Sequence, residues 1–147
     1  MNTGVYVEDL VVTISKATVT AGAWAASGNA VSICGVSNID ATEGARAQKV
    51  TKAYNCGTQV FHAKEPDMGT ATLTIAVYDT TDLGQKMLYD AAIDDKFLLK
   101  VEYSPTKTEQ LRLQKTQSEK RNMGTDEVII GATMELGLHG GWELVTP

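Results

Sequence analysis

Apolar and polar positions alternate most regularly between Gly69 and Tyr103, and there the period changes twice. Thr70, Thr72 and Thr74 interleave with Ala71, Leu73, Ile75 and Val77, the period of two that a half-buried strand requires. Asp79, Thr80, Thr81 and Asp82 follow, with side-chain oxygens and charges suited to the free N–H groups and positive end of a helix start. Leu83, Met87, Leu88 and Ala91 then make the apolar stripe of a short helix, predicted to be its core-facing side. Gly84 weakens that helix by about 1 kcal/mol relative to alanine, so packing has to hold it. The Asp94-Asp95 pair is unfavourable at a negative helix end and marks a point past it. Lys96 to Tyr103 reads as a second strand, with Phe97, Leu99, Val101 and Tyr103 opposite Leu98, Lys100 and Glu102.

The flanking chain is strand-rich. Asp9 to Thr20 alternates Leu10, Val12 and Ile14 against Thr13, Ser15 and Ala17; Ala21 to Asn29 is small, glycine-containing and non-periodic and reads as a loop or turn with Trp24 its only large anchor. Ala30 to Thr42 is a strand with a bend at Gly35. Glu43 to Met68 has little to bury and fits two short strands joined by a long polar turn, a size of connection that usually carries function. Pro105 presets a turn before a strand at Glu109 to Thr116, Gln117 to Asp126 is a polar connection, and Glu127 to Leu138 alternates Val128, Ile130, Ala132, Met134 and Leu136 against Ile129, Gly131, Thr133, Glu135 and Gly137. Seven or eight strands and one helix predict a mainly β fold: an antiparallel sandwich or partly open barrel with one short helix packed on the sheet and a long hairpin loop. Met1 to Glu8 has too few apolar residues to anchor itself, so its order has to come from a neighbour, and His139 to Pro147 closes the chain.

Length and charge narrow the function. The 147 residues suffice for one domain with a core. A net charge of -5 argues against gripping a nucleic acid from outside, though not against a wall along which a polyanion slides. No apolar run approaches the length of a membrane span and no export signal is seen, so neither a membrane nor secretion is expected, and Cys34 and Cys56 are read as unpaired small residues, buried or half-buried. His62 and His139 lack neighbours at metal-ligand spacing, and no nucleophile or phosphate-loop motif occurs, so no metal, cofactor or enzymatic activity is expected. Trp24 and Trp142 are core or interface plugs, or else they stack on a ligand in a monomeric β-barrel binding module. Strand edges without prolines point instead to self-assembly.

The order of parts in Gly69 to Tyr103, with its Asp79-to-Gln85 helix start, in Val31 to Thr42, and in Val128 to Leu136 resembles the major tail tube proteins of long-tailed bacteriophages, a family related in fold to contractile-tail tubes and the secretion-system tube protein. The resemblance implies a virion tail protein assembled in the bacterial cytoplasm as six-membered rings, each subunit adding to a continuous inner β-barrel. The rings stack into a tube that conducts phage DNA without binding it. Its implied partners are further copies of itself, a tape measure, a terminator and tail tip proteins; a single-ring terminator or head-tail connector is the related alternative. Residue by residue, it makes Glu43 to Met68 the inter-ring loop, with Arg46, Lys49, Lys52, Tyr54, Phe61 and Lys64 facing the next ring, and Met1 to Glu8 a locking arm. Asp40, Thr70, Thr72, Thr74, Thr133 and Glu135 become the lumen candidates.

Overall fold

The computed structural model describes residues 10–44, 48–52, 59–63, 68–125 and 129–145. Among them are twelve strands and one helix: β1 (Val11–Thr20), β2 (Ala23–Ala26), β3 (Val31–Ser32), β4 (Val36–Thr42), β5 (Gln48–Lys52), β6 (Gln59–Ala63), β7 (Gly69–Ile75), α1 (Leu83–Asp90), β8 (Lys96–Ser104), β9 (Lys107–Lys115), β10 (Lys120–Asn122), β11 (Gly131–Leu138) and β12 (Glu143–Val145). The main sheet runs β2-β1-β8-β9-β11-β7-β4, with β3 beside β1, β12 beside β9 and β10 beside β11. Every pairing is antiparallel. The fold is therefore mainly β with one short helix, as predicted, and the sheet stays open instead of closing into a barrel.

That sheet is strongly curved. Ile14 on β1 and Ala71 and Leu73 on β7 belong to one core cluster although three strands separate β1 from β7 in the sheet. Phe97, Leu99, Leu111, Leu113, Met134, Leu136 and Leu138 complete the inner face, which α1 covers through Leu88. Burying each large side chain contributes about 1.5–3 kcal/mol.

The helix touches the sheet by a face one position round from the predicted stripe. Gly84, Gln85 and Leu88 are buried, Met87 and Ala91 are half-buried, and Leu83, expected in the core, is 65% exposed. Gly84 decides this rotation: a Cβ there would lie 2.6 Å from Ile33 Cβ and 2.7 Å from Ser32 O, so only glycine lets the helix rest on β3.

Gln85 is 1% exposed and fully bonded. Its Nε2 donates to Cys34 O (2.6 Å) and Val77 O (3.0 Å), while its Oε1 accepts from Asp79 N–H (2.9 Å) and Tyr89 Oη–H (2.8 Å). The Asp82 carboxylate caps the helix at Gln85 N–H (3.0 Å) and also accepts from Cys34 N–H (3.2 Å). At the other end Lys115, 2% exposed, aims its ammonium at the orphan helix carbonyls of Leu88 (2.8 Å), Tyr89 (3.1 Å) and Ala91 (2.8 Å), the end where a cation is favoured.

Other expectations shift for identifiable reasons. The predicted strand Ala30 to Thr42 breaks into β3 and β4 at Gly35, whose φ of +83° turns the chain off one sheet end and onto the other. Ala21 to Asn29 does hold a turn, in which Ala21 and Gly22, at φ 52° and 80°, pair Thr20 with Ala23, but the turn leads into a strand, β2. Alanine in that region hides the turn from sequence reasoning. The polar connection contains β10 and the C-terminal segment contains β12, both too short to show alternation. Val77 and Ile130 lie beyond their strands and are exposed, and Val128 lies outside the described residues. The turn at Pro105-Thr106 forms as expected, pairing Ser104 with Lys107.

Two substitutions test this arrangement by urea denaturation. Gly84→Ala, favourable by helix propensity, is expected to destabilise the protein by about 2 kcal/mol through overpacking. Gln85→Leu strands two carbonyls, an N–H and a hydroxyl and is expected to cost about 3 kcal/mol; a midpoint unchanged by either would refute the contact it removes.

Candidate functional site

Side chains opposite the core make the outer face of the sheet. Where strands pair in register, opposed residues share a face, so the pairings of β4, β7 and β11 build rows across it. Asp40 pairs with Thr72, and Thr72 with Glu135; Asn38 pairs with Thr74, Thr74 with Thr133, and Thr133 with Lys120; Thr42 pairs with Thr70, and Thr70 with Gly137. The structure thus brings Asp40, Thr70, Thr72, Thr74, Thr133 and Glu135 onto one surface, opposite buried Ala71, Leu73 and Ile75. The two carboxylates flank Thr72 across about 10 Å of sheet, and Glu135 Oε2 accepts a bond from Gln117 Nε2 (2.8 Å).

The remaining candidates divide. Arg46, Tyr54 and Lys64 lie outside the described residues, as do Met1 to Glu8. Lys49, Lys52 and Phe61 fall on β5 and β6, which pair with each other as a separate two-stranded sheet, matching the expected hairpin. Cys34, read as buried or half-buried, is exposed, because the bend at Gly35 turns it outward; Cys56 lies outside the described residues.

The tryptophans take different places. Trp24 packs at a tilt of 49° against His139 (5.0 Å between ring centroids). His139 Nε2–H donates to Gln114 Oε1 (2.8 Å), since Gln114 spends its Nε2 on Asp94 Oδ1 (3.0 Å). Burial, then the nearby Lys96 and Arg112 charges, hold the imidazole below the ordinary histidine range. Trp142 instead stands at the rim of a cleft of about 560 Å³ between β4 and the start of β1, floored by Val12, Ile33, Ile39 and Val101. Sequence reasoning missed this cleft because no local pattern says that β1 and β4 fail to meet. It also missed the outer column in which the Arg121 guanidinium covers Tyr78 (4.5 Å) and Tyr78 stacks on Tyr89 (4.9 Å), whose hydroxyl pKa is raised by burial.

Among the described residues no cluster of His, Cys, Asp and Glu could hold a metal, and no helix is long and apolar enough to cross a membrane. No protein-family model and no curated protein matches the sequence.

The fold, however, is shared. The chain is similar to a chain in the cryo-EM structure of the anti-feeding prophage (AFP) baseplate, 6-fold symmetrised, at 13% identity and a TM-score of 0.52, over 99% of this chain and 98% of that one. At that identity the likeness is one of fold, and it extends from end to end.

His139 provides a test by pH. Its folded pKa lies below its unfolded value of 6.5, so acid loads a proton onto the unfolded chain first; the neutral ring's contribution is complete above that value and is lost as pH falls below it. Urea midpoints are expected to drop between about pH 7.5 and about pH 5.5, and to drop less in His139→Gln. Equal drops would show that His139 does not couple to folding.

Proposed function

We propose that this protein is a structural subunit of a phage-tail-type particle, built to repeat around a hexameric ring and, by ring stacking, along a tail tube. The observation that carries the reading is the end-to-end fold likeness to a chain of a six-fold symmetrised prophage baseplate. A curved open sheet with one polar and one apolar face supports it, because such a sheet can line a pore with one face while the helix protects the other.

In this reading the Asp40–Thr72–Glu135 row faces the lumen. Its threonine is short and neutral and its two carboxylates repel phosphate, so DNA slides along this part of the wall. The β5–β6 hairpin, which the main sheet does not hold, reaches the next ring, where Arg46, Lys49 and Lys52 meet carboxylates. Partners are then other copies, a tape measure, a terminator and tip proteins, in a virion tail assembled in the host cytoplasm. The role is mechanical and not enzymatic.

A second reading has one observation in its favour: the similar chain comes from a baseplate, so this subunit forms one ring of a tail end and does not stack. Negative-stain microscopy across a concentration series, with a matched sample lacking Glu43 to Met68, separates the two. Tubes of uniform width that disappear with the deletion are expected. Closed single rings in both samples would favour the baseplate-type ring, and monomers throughout would refute both.

A further inference from the structure

The connection 43–68 leaves the main sheet at the end of β4 and rejoins it at the start of β7, and both of its ends lie on glycines. At the outgoing end the backbone of Thr42, Glu43 and Gly44 crosses Gly69, where a Cβ would lie 2.7 Å from Gly44 N and 2.9 Å from Glu43 C. The Glu43 carboxylate then lies on Gly141, where a Cβ would lie 2.6 Å from its Cδ. At the returning end Met68 lies over Gly137, where a Cβ would lie 2.8 Å from its Cε and 3.2 Å from its Cγ. Gly137 stands on the polar face, opposite Thr70 and Gln114, and is nevertheless buried. None of these three glycines has a positive φ, so close approach and not backbone conformation is what calls for glycine.

We propose that these glycines form a seat that aims the β5–β6 hairpin: Gly137 and Gly141 receive one side chain from each stem, Met68 and Glu43, and so fix the direction in which the hairpin leaves the sheet. Both stems are referred to one stretch of chain, since Gly137 lies in β11 and Gly141 follows closely after it. The contacts also differ in kind. Gly69 meets backbone, which is stiff, whereas Gly137 and Gly141 meet the far ends of flexible side chains. A methyl group at either of those two positions therefore leaves the sheet in place and displaces the stem. The hairpin itself adds no support from the sheet: among the described residues β5 and β6 pair with each other and with no strand of the main sheet, so the stems carry its direction. A hairpin already held in one direction loses less freedom when it docks. That its docking partner is a neighbouring ring rests on the tube reading above, while the seat is a property of the single chain.

The seat is read as a distance within one chain. In the full chain carrying Cys34→Ser and Cys56→Ser, nitroxide labels at Thr51→Cys on β5 and Lys120→Cys on β10 are measured by double electron–electron resonance, with the labelled chain diluted in unlabelled chain. One narrow distance distribution is expected. Gly137→Ala should shift its mean by several ångströms and Met68→Ala should broaden it. Because both act on one contact, Gly137→Ala is expected to add no further shift in the Met68→Ala background. Gly141→Ala and Glu43→Ala should form a second pair of the same kind. A broad distribution in the parent chain, a distance unmoved by either glycine substitution, or shifts that persist without Met68 and Glu43 would each overturn the seat. If a glycine variant fails to fold, Met68→Ala and Glu43→Ala, which remove atoms, still decide the matter, since a distribution unchanged by both overturns it. Microscopy of the same samples keeps the readings apart: a seated hairpin without rings or tubes upholds the inference and refutes the tube, whereas tubes built with an unseated hairpin refute the inference alone.

Discussion

A helix laid on the inner face of a curved sheet has to bury its two polar ends, and this protein depends on two side chains that satisfy them. The Asp82 carboxylate serves the N-terminus and shares its oxygen with Cys34 N–H, while the Lys115 ammonium serves three carbonyls at the C-terminus. Between them the Gln85 carboxamide uses both hydrogens and both lone pairs on four different groups. An unpaired buried amide or ammonium is costly, whereas a fully bonded one defines a single arrangement. Because the partners of Gln85 belong to the β3–β4 corner, the exit of β7 and the helix itself, one amide sets the relative placement of all three.

That placement also determines what is left open. The helix start and Gly35 pull β3 toward β1 and send β4 to β7, so the chain spans the gap between the two sheet ends without pairing them. Among the described residues β4 pairs on one side, with β7, and apolar side chains line the cleft beside it. Monomeric proteins blunt such edges with prolines or charges. Here Val36–Thr42 has no proline, and its one charge, Asp40, points to the outer face.

The outer face is kept soluble by residues that add little bulk. Threonines on β7 and β11 favour strands through their branched Cβ while leaving a hydroxyl to water. Asp40 and Glu135 flank Thr72 in one row while Lys120 lies opposite Thr133 in the next, so the face carries both signs.

How much of this was legible depended on the range of the interaction. Alternation in Gly69–Ile75, Lys96–Ser104 and Gly131–Leu138 determined the strands and five of the six residues of the polar surface, because side-chain direction in a strand follows from local geometry alone. The capping run before Leu83 located the helix for the same reason. The stripe through Leu83 misled because a helix's rotation is chosen by what it rests on, and the close seat of Gly84 against Ile33, with no room for a Cβ, outweighs an exposed leucine. Only the tertiary structure decided that Gln85 and Lys115 are buried, that a cleft opens beside Trp142, and that β1 and β4 stay apart. Each of these involves at least one partner 24 to 51 residues distant in sequence, or a pairing that does not form among the described residues, and neither leaves a mark in local order.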